Sequence, residues 1–103
     1  MDLIDENISA IIDLCNKHKV KQLYLFGSAL TERFNALSDI DMLVQFEKVD
    51  LPKYFDNLLD FKEGLEKIFS RSVDIVENQA IRNPIFRKII DRDKKLIYER
   101  KSA

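Results

Sequence analysis

Apolar residues recur along the chain in two rhythms, one helical and one alternating. Ile4, Ile8, Ile11 and Cys15, with Ile12 beside them, keep helical spacing, so residues 4–18 read as an amphipathic helix. Val20–Phe26 reads as a strand ending in a tight Gly27-Ser28 turn, and Ser28 is placed to cap a short helix over residues 28–33. Residues 34–38 read as a loop and residues 39–46 as a second strand, with Ile40, Met42, Val44 and Phe46 pointing into a core. Tyr54, Leu58, Phe61, Leu65 and Ile68 step by fours and threes and mark a helix over residues 53–69. Gly64 inside that helix costs about 1 kcal/mol relative to Ala, which points to close packing there. Residues 72–77 form a third strand. Asn83-Pro84 has the form of an N-cap with Pro at the first helical position, and Ile85, Phe86, Ile89 and Ile90 continue that helix. Lys95–Glu99 reads as a short last strand. Strands alternating with helices predict an α/β (α+β) domain, helices packed on a small mixed sheet.

The second strand opens on chemistry. Asp39 and Asp41 are two residues apart, so on a strand they share a face and repel. A divalent cation is the usual remedy for two such charges. Magnesium takes near-octahedral oxygen ligation from one or two carboxylates plus substrate phosphates. A pair of such ions about 3.5–4 Å apart serves in-line phosphoryl displacement. Asp74, mid-strand between apolar neighbours, is the candidate third carboxylate, because an unpaired one there is costly. Gly27 lets a backbone turn approach a phosphate without a Cβ, and a helix starting at Ser28 aims free N–H groups at it. The plainer readings are an ordinary turn for Gly27-Ser28, a turn cap for Asp39 and an exposed strand position for Asp74.

Composition narrows the class. The chain has 103 residues, the length of one domain, with 46% hydrophobic and 34% charged residues, which argues against disorder. A net charge of −1 makes no global case for direct nucleic-acid or membrane binding. A single cysteine, Cys15, excludes an internal disulfide and reads as core. The acidic start, Met1-Asp2-Leu3-Ile4-Asp5-Glu6, lacks a signal peptide's basic region, and no apolar run approaches membrane-spanning length. A cytoplasmic protein is the expectation. Basic residues gather from Arg82 to Lys101; the plainer account is a solvated helix face plus a frayed tail, the functional one a surface for an acidic partner or RNA. His18, the only histidine, sits at a helix C-terminus, a position for capping rather than catalysis.

Gly27-Ser28, ten intervening residues, Asp39-Ile40-Asp41 and a later Asp74 together resemble the minimal nucleotidyltransferases of the DNA polymerase beta superfamily. The strings Leu23-Tyr24-Leu25-Phe26-Gly27-Ser28 and Ser38-Asp39-Ile40-Asp41-Met42-Leu43-Val44 carry the same resemblance, which runs over nearly the whole chain. It implies a nucleotidyltransferase fold over residues 1–103. It also implies that Asp39, Asp41 and Asp74 bind magnesium and carry catalysis, and that Gly27 and Ser28 hold the triphosphate. The implied reaction moves AMP from ATP to a hydroxyl and releases pyrophosphate. Many single-domain members pair with a HEPN-type RNase toxin and act as its antitoxin, some by adenylylating a toxin tyrosine. The chain departs from the family at Ala29-Leu30-Thr31-Glu32, where an Arg-Ala-Arg-Gly-like string is usual; Arg33, the nearest basic residue, is the candidate to compensate at the triphosphate, its plainer reading being a solvated helix end. The rival reading is a catalytically degenerate module that neutralises its partner by binding alone.

Overall fold

The structure is a computed structural model that describes residues 2–27 and 39–101. Helices α1 (Asp2–Glu6) and α2 (Ile8–Lys17) lead into strand β1 (Val20–Phe26). Strand β2 (Ile40–Phe46), helix α3 (Leu51–Phe69) and strand β3 (Val73–Glu77) follow. A 3-10 turn (Asn78–Ala80), helix α4 (Pro84–Asp93) and strand β4 (Lys95–Glu99) complete the order. The sheet runs β3-β2-β1-β4, with β2 parallel to β3 and the other neighbours antiparallel.

The expected first helix is two helices. The Asn7 side chain donates to the Leu3 carbonyl at 2.8 Å and its backbone N–H donates to Ile4 at 3.1 Å. Asn competes with the helical ladder in this way, and the chain turns before resuming at Ile8. The second strand starts at Ile40 rather than Asp39, because the first bond to β3 is from the Ile40 N–H to the Ser72 carbonyl, 3.0 Å. The third starts at Val73 for the same reason. Helix α3 begins two residues early, at Leu51, since Pro52 fits its first turn. Asn83 caps α4, accepting from the N–H groups of Ile85 and Phe86 at 2.9 and 3.2 Å.

One sheet face carries the core. Leu23 and Leu25 of β1, Ile40, Met42, Val44 and Phe46 of β2, and Val73 of β3 are buried with Ile11, Cys15, Phe61, Leu65 and Phe69 from the helices. Burial pushes the Cys15 thiol up to about 12, so it is an unreactive part of this core. His18 ends α2: its backbone N–H and its Nδ1 both reach the Leu14 carbonyl, at 3.1 and 2.9 Å, and its ring packs on Phe61. Both agree with the sequence reading.

The opposite face carries Tyr24, Phe26, Asp41 and Leu43, with α4 leaning on it. Phe86 meets Phe26 edge-on at 6.4 Å, Ile90 is buried, and Lys94 Nζ stands 4.4 Å above the Tyr24 ring. Gly64 marks the crossing of α3 over α2, since a Cβ there would lie 2.6 Å from Leu14 Cδ1. Overpacking typically costs about 1–3 kcal/mol, against a helix-propensity gain near 1 kcal/mol. Gly64→Ala should therefore lower stability by about 1 kcal/mol in a denaturant melt, and adding Leu14→Ala should remove the clash component. A stabilised Gly64→Ala would show that this crossing is loose.

Candidate active site

The sheet register brings two of the expected carboxylates together. Asp41 on β2 is the register partner of Asp74 on β3, so both side chains leave the same face of adjacent parallel strands. On its other side Asp41 pairs with Phe26, the last residue of β1. Asp39 lies two residues before Asp41, just outside the strand, and is exposed. Asp41 is half-buried, but Asp74 is exposed, so the cost of an unpaired carboxylate expected at that mid-strand position does not arise, because solvent reaches it. Burial first, then the Asp74 and Asp39 carboxylates, hold the Asp41 carboxyl above its ordinary range. Burial is the larger cause, and the like charges of the neighbouring carboxylates add to it.

Gly27 closes this patch from the β1 side. Its φ is +75°, a left-handed conformation that L side chains rarely adopt. A Cβ at this position would collide with the Asp41 carboxylate and lie 3.2 and 3.3 Å from Asp41 Cγ and Cβ. Glycine is thus required twice, by the turn and by the carboxylate beside it. Ser28 and Arg33, expected to contact phosphate, lie outside the described residues, as does the expected 28–33 helix.

The donor set is all oxygen, which suits magnesium rather than zinc or a soft metal. Among the described residues no three His, Cys, Asp or Glu side chains are gathered closely enough to hold a metal ion. Magnesium does not require three, since it accepts one or two carboxylates and takes its remaining oxygens from phosphates and water. The adjacent Asp41 and Asp74, with Asp39 at their edge, fit that demand.

Two features were missed in the sequence. Tyr54, read as part of a packing stripe, also donates its hydroxyl to Glu77 at the far end of β3. Ile85, Phe86, Ile89 and Ile90, read as continuing a helix, are mostly uncovered; only Ile90 is buried. These four spread over one arc of about 140°, a breadth that the sequence already shows.

A mixed sheet that sets a glycine turn against paired strand aspartates is the architecture of a nucleotidyltransferase. The chain belongs to that family: residues 9–103 match the model for polymerase beta nucleotidyltransferases. It is 40% identical over 85 residues to a Methanocaldococcus jannaschii protein named "Putative protein adenylyltransferase", the match covering 82% of each chain. A solved minimal nucleotidyltransferase superposes with TM-score 0.75 at 28% identity, covering 92% of this chain and 95% of that one. A toxin–antitoxin structure with AMP-PNP has TM-score 0.69 at 21% identity, over 92% of this chain and 75% of that one. The complex of a tri-AMPylated Shewanella oneidensis HEPN toxin with MNT antitoxin gives 0.64 at 20% identity, over 94% and 73%. These last two likenesses are of fold. No helix among the described residues is long and apolar enough to cross a membrane.

Proposed function

We propose that this chain is a magnesium-dependent adenylyltransferase, working as one domain over residues 1–103, that moves AMP from ATP to a hydroxyl of a HEPN-type toxin and so acts as its antitoxin. The observation that carries the reading is the Asp41–Asp74 register pair facing the Gly27 turn. The names of the relatives support an adenylyl group, and the AMP-PNP and AMPylated complexes of fold neighbours support the nucleotide and the class of partner. A cytoplasmic enzyme meets both ATP and such a toxin.

Asp41 and Asp74, with Asp39 at their edge, would hold magnesium, which when bound would neutralise phosphate charge and polarise the phosphoryl group. Gly27 admits the triphosphate close to the backbone, and Ser28 and Arg33 add a hydroxyl donor and a positive charge to its oxygens. Asp74, the more exposed carboxylate of the pair, takes the proton of the acceptor hydroxyl. The freed oxygen bonds to the α-phosphorus, the bond from that phosphorus to the bridging oxygen of the β-phosphate breaks, and pyrophosphate leaves. A tyrosine suits as acceptor, since its phenol ionises more readily than an aliphatic hydroxyl.

ATP labelled at the α-phosphate and ATP labelled at the γ-phosphate separate the possible outcomes. The α-label should appear on the partner protein as an acid-stable adduct, and the γ-label should be released as pyrophosphate. Neutralisation of the toxin without α-label transfer would favour the binding-only module, for which the departure at Ala29-Leu30-Thr31-Glu32 speaks.

A further inference from the structure

Helix α4 carries an apolar surface that the rest of the described chain leaves open. Ile85 is 70% and Ile89 46% exposed, and the two stand one helical turn apart. With Pro84, Lys88 and Arg92 they line a depression of about 490 Å³. The acids near this stripe are already engaged. Asp91 lies 3.0 Å from Lys94 and 3.6 Å from Arg87, and Asp93 holds Arg92 at 2.9 Å. Exposed Lys88 and Arg82 form no ion pair among the described residues, so the rim is net basic.

Position distinguishes this stripe from a second one, Leu51, Phe55 and Leu59 on α3. Helix α3 sends Phe61 and Leu65 into the core, behind the sheet. Helix α4 lies on the carboxylate face, where Phe86 packs on Phe26, the register partner of Asp41. An acceptor hydroxyl must reach that face.

We infer that the Ile85–Ile89 stripe is the docking surface for the acceptor protein, which presents an apolar patch rimmed by carboxylates. The inference rests on the transferase reading above. Apolar side chains in the centre of such a contact carry most of the affinity, and the basic rim speeds encounter and selects an acidic surface. Docking there would bring the acceptor hydroxyl to the carboxylate face on which α4 lies.

The test places a photo-crosslinker at the stripe in cells of the source organism, as Ile89→p-benzoyl-phenylalanine, with Leu59→p-benzoyl-phenylalanine on α3 as control. The protein captured through position 89 should be the one that carries AMP. With that acceptor purified, Ile85→Glu/Ile89→Glu should raise its KM about tenfold or more while kcat at saturation and the Mg-ATP melting shift stay parental. Lys88→Glu should raise KM and reduce its salt dependence. Capture of the AMP-bearing protein through position 59 alone, capture of a second copy through position 89, or a parental KM in the double variant overturns the docking proposal while leaving the transferase reading intact. A parent chain that labels no protein overturns both.

Discussion

Asp41→Asn should abolish nucleotidyl transfer and, without metal at neutral pH, raise the melting temperature. The two effects have one cause. The Asp41 carboxyl is held above its ordinary range by burial and by Asp74 and Asp39, so its ionised form is disfavoured in the fold. A carboxyl raised on folding contributes fully to stability below its unfolded pKa, and that contribution is lost as pH rises through the folded value. The parent should therefore lose stability across the upper carboxylate range as pH rises toward neutral. Asp41→Asn should not show that loss. On the proposed reading, the same substitution replaces an anionic magnesium ligand by a neutral amide, a loss of several kcal/mol in the transition state, or on the order of 10³-fold in kcat/KM. Melting curves at acidic and neutral pH, paired with α-labelled transfer assays, check both halves. Transfer within about tenfold of parental would remove Asp41 from the catalytic centre.

The other large effect belongs to Gly27. Gly27→Val must adopt φ +75° with a branched side chain and must also displace the Asp41 carboxylate. Left-handed backbone costs an ordinary residue about 1–2 kcal/mol, and the collision adds a comparable amount. A loss of about 2–4 kcal/mol in denaturant melts should accompany complete loss of transfer. A double-mutant cycle isolates the contact: Asp41→Ala should recover part of the stability lost in Gly27→Ala, because the colliding carboxylate is gone. Strict additivity of the two changes would mean that Gly27 serves the turn alone.

Much of this fold is written in local periods. The alternation through Ile40–Phe46, the stepping of Phe61 and Leu65, and the Asn83-Pro84 cap each set an element close to where it lies. Asn7 escaped because a lone polar residue is compatible with a helical stripe, whereas its bond to the Leu3 carbonyl depends on the three-dimensional turn. The aspartates stood out as candidates for chemistry by their spacing and types. Their adjacency was not, since strand order and the Asp41–Asp74 register are set by long-range pairing. The collision awaiting any Cβ at Gly27 depends likewise on β1 and β2 being neighbours. Which part of the α4 apolar stripe is covered depends on how the helix meets the sheet, and only Ile90 of its four apolar residues is buried.

The central claim is that these aspartates hold a magnesium–nucleotide complex. Thermal melts of the parent and of Asp39→Asn/Asp41→Asn, with magnesium, AMP-PNP and both together, test it most directly. The parent should be stabilised most by the combination, by about 2.7 kcal/mol at a ligand concentration 100 times its Kd. The double variant should show no synergy between metal and nucleotide. Equal shifts in both proteins, or none in the parent at millimolar ligand, would contradict the account.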